Sequence, residues 1–376
     1  MKVGITCYPT YGGSGAVATE LGIALAARGH EVHFVTYKQP FRLPTFLPRV
    51  FFHEVDVGRY PLFEFPPYDL ALAVRMHEVV REHELDLLHC HYAIPHATSA
   101  WITKQMLKEE KRDIKVVTTL HGTDITIVGQ DPSFHSITKF SIEKSDALTA
   151  VSNYLQKETL NAFGCTACRI DVIPNFIDPK VYDRDRYDGA QMRAQFDGNR
   201  KVLMHISNFR PVKRVPDIIA TFAEVNRKVE SVLIMVGDGP DRHNAEHQAR
   251  QLGVDKSVHF LGKIESVAPL LAAADLFLLP SNAESFGLSA LEALASGTPV
   301  IGTNVGGLPE VVRDGETGVL CGVGDVAGMS NAAIELLRDA RKWEAMSRAA
   351  AADARERFAM DDVVERYEAM YTQAIA

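Results

Sequence analysis

Short apolar runs that break into polar or glycine-rich loops, each followed by a helical pattern, recur along this chain of 376 residues. Runs of this length and apolarity read as strands buried on both faces. Their alternation with helices calls for a parallel sheet with helices on either side. The series begins at residues 2–7 and proceeds through 31–36, 50–55, 85–90, 115–120 and 145–153 to 172–178. A polar, charged stretch over 179–200 interrupts it. It restarts at 202–206 and runs through 232–236, 258–262, 275–279 and 299–303 to a last short strand near 320, after which 325–376 reads as helix. The expected fold class is therefore α/β, with two doubly wound Rossmann-like domains facing a cleft. The first domain is expected over 1–178, joined by a returning C-terminal helix at about 358–376, and the second over 179–357.

In such folds ligands bind beyond the carboxyl ends of the strands, so the loops there are the candidate sites. Residues 281–286 follow the apolar run 275–279, and a helical pattern starts near Gly287 and stops at Gly297 and Pro299. A helix start offers free backbone N–H groups and a positive dipole end, which suits a phosphate. Glu284 and Glu292 flank that start. Carboxylates beside an anion site fit better with sugar hydroxyls than with the anion itself. The loop after residues 202–206 carries Arg210 and Lys213, two cations able to neutralise a diphosphate, although a charged loop is more often only a solvated one.

In the first half, Tyr11-Gly12-Gly13-Ser14-Gly15 follows the first strand. The spacing is not G-x-G-x-x-G, and no acidic residue follows the second strand to hold a ribose, so NAD is not expected. Close backbone approach to a phosphate or sugar is the functional reading, and a packing turn the bland one. His91-Tyr92-Ala93-Ile94-Pro95-His96 and His121-Gly122-Thr123-Asp124 end two further strands. A lone histidine is usually structural. Four of them (89, 91, 96 and 121) at two strand ends favour function for His121, His91 and Tyr92, with His89 left as a packing residue.

A net charge of −8 argues against nucleic acid or an anionic membrane as partner, and no apolar run has the length of a membrane span. The N-terminus does not read as a signal peptide. Five cysteines, an odd number scattered along the chain, point to reduced thiols and a cytoplasmic location. Cys165 and Cys168 lack further ligands for a metal site and read as two thiols in a surface turn.

The quoted motifs resemble a known family. Glu284 and Glu292 ahead of Ser296-Gly297-Thr298-Pro299, with Val236-Gly237-Asp238-Gly239-Pro240 and Val305-Gly306-Gly307-Leu308-Pro309-Glu310, resemble the retaining nucleotide-sugar glycosyltransferases of the GT-B fold, family four. The first-half motifs, with His205-Ile206-Ser207-Asn208-Phe209-Arg210, are similar to the branch that joins N-acetylglucosamine to L-malate in bacillithiol biosynthesis. The resemblance covers nearly the whole chain. It implies donor binding by Gly13, Asn208, Lys213, Glu284, Phe286, Gly287, Leu288 and Glu292. Lys213 would hold the diphosphate, Glu292 the ribose, and Glu284 the donor sugar, while His121 would line its reacting face. His121, Lys213 and Glu284 are the implied catalytic set. The family's usual Gly-Arg has Asn208 in the Arg position here, a departure that the malate branch shares.

Retention by double displacement would need a carboxylate nucleophile, with Glu284 and Asp124 as the candidates. The resemblance implies a front-face reaction instead. No Asp-x-Asp motif appears at a strand end, so neither a metal nor a cofactor is expected, UDP-N-acetylglucosamine being a substrate. Malate is a dianion, and Tyr92, Thr123, Lys139 and Asn153 are the candidate acceptor contacts, with Arg42, Arg59 and Arg75 behind them. A solvated helix lysine is the bland reading of Lys139. A homodimer is left open. Alternatives are a family-four transferase with another small or polymeric acceptor, a GT-B sugar epimerase, or a nucleotide-sugar binding protein.

Overall fold

The computed structural model describes residues 1–58, 64–165, 168–196 and 198–376. Arg59 lies outside the described residues. The chain divides into two compact units, one of Met1–Asn175 with Asp361–Ala376 and one of Phe176–Met360.

The first unit holds seven strands: β1 (Lys2–Thr6), β2 (Glu31–Thr36), β3 (Val50–Glu54), β4 (Leu87–His91), β5 (Lys115–Leu120), β6 (Ala147–Ala150) and β7 (Ile170–Val172). Their order across the sheet is β3-β2-β1-β4-β5-β6-β7, and every pairing is parallel. β1, β4 and β5 are buried at nearly every position because helices cover both faces of the sheet. The C-terminal helix Met360–Ile375 packs on this unit through buried Tyr367 and Tyr371.

The second unit repeats the plan with six strands: β8 (Lys201–Ile206), β9 (Ser231–Val236), β10 (Val258–Gly262), β11 (Leu276–Leu279), β12 (Val300–Thr303) and β13 (Gly318–Cys321). Their order is β10-β9-β8-β11-β12-β13, again parallel. Its core packs Phe209, Phe222, Leu233, Met235 and Leu276 beneath the helices Val215–Asn226 and Val326–Arg338. The doubly wound α/β architecture is thus present twice. In each sheet the strand order reverses at one place, between β1 and β4 and between β8 and β11. Loops leaving the two strands diverge there and open a crevice at their carboxyl ends.

Two features depart from the sequence reading. Cys165 and Cys168 are joined by a disulfide rather than standing as free thiols. The helix Asn153–Phe163 ends in a left-handed Gly164, and the two Cα atoms stand 5.5 Å apart, within bridging range. Nor is the pair at the surface throughout, since Cys165 is buried. The helix after β1 starts at Gly13, inside the glycine loop, where the sequence reads as loop up to Gly15. No helix among the described residues is long and apolar enough to cross a membrane.

Candidate active site

The reversal point of the second sheet is built on two loops that glycine lets pack closely. β8 leads into residues 207–214, which close in the single turn Pro211–Lys213. Gly237 (φ +117°) lies so close that a Cβ there would stand 1.8 Å from the Ser207 carbonyl oxygen, and one on Gly239 would stand 2.0 Å from that of Asn208. β11 leads into the loop of Glu284, gripped in the same way: Gly307 N–H donates to the Glu284 carbonyl at 2.8 Å. A Cβ on Gly306 (φ +59°) would stand 2.0 Å from that same oxygen. Asn282 N–H donates to Val212 O at 2.8 Å and ties the loops to each other.

This scaffold brings Lys213 and Glu284 together. Lys213 Nζ donates to Glu284 Oε1 at 2.6 Å, and Ser281 Oγ donates to the same oxygen at 2.8 Å. Glu284 is 8% exposed, so the carboxylate is held by a short, charge-assisted contact in a partly dry setting. Three residues on, Gly287 (φ +98°) caps the helix Leu288–Ala295. Its first N–H groups have no acceptor within the helix, and the capping glycine has no side chain to offer them. Phe286 contributes only backbone here, because its ring is buried edge-on against Phe358. Leu288 opens the helix. Glu292 lies one turn further in, and Tyr182 O–H donates to its Oε1 at 2.6 Å. Asn208 Oδ1 is buried without a hydrogen-bond partner among the described residues. Beneath the loop, Ser207 Oγ and His205 Nε2 lie 2.7 Å apart, and burial brings the His205 imidazole down to about 4. Arg210 is exposed.

The reversal point of the first sheet joins three strand ends. Gly13 is exposed at the start of the helix that follows β1. Tyr92, just past β4, hydrogen-bonds Ser14 of the glycine loop and Thr123 past β5. Tyr92 sits at φ +93°, a strained conformation for a residue with a side chain. Burial, reinforced by Asp124, pushes its hydroxyl up to about 12. His91 Nδ1 and His121 Nε2 share a hydrogen bond of 2.9 Å. His96 Nδ1–H donates to the His91 carbonyl at 2.6 Å, so its buried Nε2 is a bare acceptor with no partner among the described residues. Burial lowers all of these imidazoles, His121 to about 3, His96 to about 4 and His91 well below its usual value. They are neutral at pH 7. His89 is fully buried between Thr119 Oγ1 and the Tyr371 hydroxyl, each at 2.7 Å, as its packing assignment requires.

Asp124 is 2% exposed, and its two oxygens accept from Ala93 N–H at 3.0 Å and Gly122 N–H at 2.9 Å. Burial raises this carboxyl to about 6 against those hydrogen bonds. With both oxygens engaged, it is poorly placed to act as a nucleophile. The remaining acceptor candidates are more peripheral. Lys139 lies mid-helix in Pro132–Lys144 with Glu143 as an ion-pair partner at 3.8 Å. Asn153 is exposed at the first turn of its helix, which Ser152 caps. Arg42 pairs with Glu20 and Arg75 with Glu78. Ser14, Ser281 and Gly306 entered the sequence reading only as members of loops and motifs, without roles of their own, and Tyr182 escaped it. Tyr182 carried no local signal, since it lies in the polar stretch 179–200.

Comparison with known proteins agrees with this geometry. Residues 11–181 match the model of Glycosyltransferase Family 4, and residues 190–353 that of Glycosyl transferases group 1. The chain is 48% identical over 373 residues to N-acetyl-alpha-D-glucosaminyl L-malate synthase of Bacillus anthracis, covering 99% of this chain and 96% of that one. Among solved structures, sucrose-phosphate synthase from Thermosynechococcus elongatus superposes with a TM-score of 0.82 at 22% identity, covering 99% of this chain and 98% of the other. Anabaena HepE in complex with UDP and glucose gives 0.80 at 20% identity, over 99% of each chain. The chain belongs to the family-four glycosyltransferases of the GT-B fold, within the family of N-acetyl-alpha-D-glucosaminyl L-malate synthase.

Proposed function

We propose that this protein transfers N-acetylglucosamine from UDP-N-acetylglucosamine to the hydroxyl of L-malate. The transfer retains the anomeric configuration, needs no metal ion or cofactor, and takes place in the cytoplasm as the first step of bacillithiol biosynthesis. The observation that carries the reading is the 48% identity, spread over nearly the full length of both chains, to the Bacillus anthracis synthase.

The Lys213–Glu284 pair beside an open helix start supports a role in donor binding. On binding, the diphosphate takes Lys213 and the N–H groups of Gly287 and Leu288. Glu284 turns to the sugar hydroxyls, Glu292 takes the ribose, and the Asn208 amide donates through its N–H2 to the phosphates. The bond from the anomeric carbon to the β-phosphate breaks, and its electron pair leaves with UDP. The malate oxygen bonds to the same face of that carbon, and its proton passes to a departing phosphate oxygen. Lys213 and the helix start stabilise the charge that builds on the leaving group, which is the work a metal does elsewhere. A neutral His121 serves as a hydrogen-bond partner to the sugar. Tyr92 and Thr123 supply hydroxyl donors to malate, and Lys139 and Asn153 are further contacts to probe.

The test is UDP release from UDP-N-acetylglucosamine, with and without L-malate. Release that depends on malate is expected. Release without it, or an epimerised free sugar, would overturn the acceptor assignment and leave the fold untouched.

A further inference from the structure

Away from the strand-end loops, the first unit gathers three histidines that the transfer reaction does not use. His33 lies within β2 and His53 within the edge strand β3. His83 is the last residue of the helix Tyr68–His83. Each offers a ring nitrogen within 4.8 Å of the other two. We infer that His33, His53 and His83 form a binding site for a divalent transition-metal ion of the zinc class.

The donor set suits such an ion, because imidazole nitrogen favours zinc, copper and nickel over magnesium or calcium. The supporting groups are also in place. His33 Nε2 meets a carboxylate oxygen of Glu31 at 3.0 Å, which fixes the proton on that nitrogen and leaves the Nδ1 lone pair directed at His53. A carboxylate that orients a ligating imidazole through its far nitrogen is a recurrent outer partner of zinc histidines. Phe51 lies against the His33 ring at 4.8 Å, and the ring is fully buried, so this ligand is fixed. His53 and His83 are only partly buried and give the ion an entry path.

His33 Nδ1 and His53 Nε2 now share a hydrogen bond of 2.8 Å, with the two rings within 12° of coplanar. The ion replaces that bond. Its entry opens the nitrogen separation to about 3.3 Å, the edge of a tetrahedron with metal–nitrogen bonds of about 2.0–2.1 Å. His53 moves its proton from Nε2 to Nδ1, and a water completes the coordination. Two cations lie nearby. Lys2 Nζ donates to His83 O at 2.9 Å and lies 4.0 Å from Glu31, while Arg75 is paired with Glu78 at 2.8 Å. The Lys2 contact also places His83 beside the start of β1. His91, Tyr92 and His121 stand at the opposite ends of the strands. The ion is therefore a structural clip between the edge strand and its covering helix.

Cobalt(II) titrated into the chelator-treated full-length protein, followed by visible absorption with zinc as competitor, tests this. One cobalt per chain is expected, displaced by zinc. His53→Gln and His83→Gln should each abolish the stoichiometric phase, and Glu31→Gln should weaken it on the order of tenfold. Zinc should raise the melting midpoint of the wild type but not of either histidine variant. Transferase kcat should be the same for wild type, His53→Gln and His83→Gln. No saturable cobalt binding, or a saturable site that survives in both histidine variants, overturns the proposal.

Discussion

At the reversal point of the first sheet stand His91, His96 and His121 with Tyr92. At that of the second stand Lys213, Glu284 and Glu292. The two places are topologically equivalent, since strand order turns between β1 and β4 in one sheet and between β8 and β11 in the other. Their electrostatics are opposite. The first rim excludes charge, because burial takes its imidazoles to neutrality and half-protonates Asp124 near pH 6. The second rim keeps its charges by pairing them, Lys213 with Glu284 and Glu292 with the Tyr182 hydroxyl. The fold thus sets where a ligand binds, and the strand-end residues set which. A diphosphate needs fixed cations and free N–H groups. A polyhydroxylated sugar or a hydroxy acid can be held by neutral donors and acceptors.

Acid separates the two rims most strongly. His89 and His121 titrate at about 3 and His96 at about 4 in the folded protein, below the ordinary histidine value of about 6.5. The unfolded chain therefore takes up protons first. Stability is complete above pH 6.5 and falls as pH drops from 6.5 towards 4. Each histidine contributes about 1.4 kcal/mol per pH unit, so the three together reach about 4 kcal/mol per unit when they titrate independently. Asp124 acts in the opposite sense. Its folded value of about 6 lies above the unfolded one, so it returns stability between pH 6 and 4 and offsets roughly one histidine. In the second unit burial brings His205 down to about 4. The first unit should therefore melt first at pH 5. Trp101 and Trp343, one in each unit, report the order in single-tryptophan variants; a common midpoint at pH 5 would erase the distinction.

Next in size is Lys213→Ala. Removing one charge-assisted phosphate contact should cost about 3 kcal/mol of transition-state stabilisation, a loss of roughly 10²–10³ in kcat/KM. Wild-type turnover in that variant would remove Lys213 from the reaction. Gly306→Ala follows, because its Cβ would overlap the Glu284 carbonyl at a φ of +59°. We expect a stability loss of about 1–3 kcal/mol, with weaker UDP binding by calorimetry. Unchanged UDP affinity would show that the backbone of the Glu284 loop does not set the donor site. The smallest effect should come from Tyr182→Phe, which removes one hydrogen bond to Glu292. About 1 kcal/mol, or several-fold in donor KM with kcat unchanged, is expected from steady-state kinetics.

Much of this architecture is legible in the sequence, because strands buried on two faces leave continuous apolar runs and strand-end loops must break them. Glu284, Glu292 and Lys213 stand out for the same reason, as charges placed where the chain leaves the core. What the sequence hides is which side chains meet. Lys213 and Glu284 are read separately as ligands for phosphate and sugar, yet in the fold they hold each other across 71 residues of chain. Tyr182 reaches Glu292 from a segment that reads as linker. The disulfide joins Cys165 and Cys168, a pairing that spacing alone does not fix. His33, His53 and His83 are three unremarked positions until β2, β3 and a helix end converge.

The central claim is that a sugar moves from a nucleotide to malate with retention. Proton NMR of the product formed from UDP-N-acetylglucosamine and L-malate tests it most directly. The account predicts one α-linked N-acetylglucosaminyl malate per UDP released. A β-linked product, or UDP accompanied only by free N-acetylglucosamine, would contradict it.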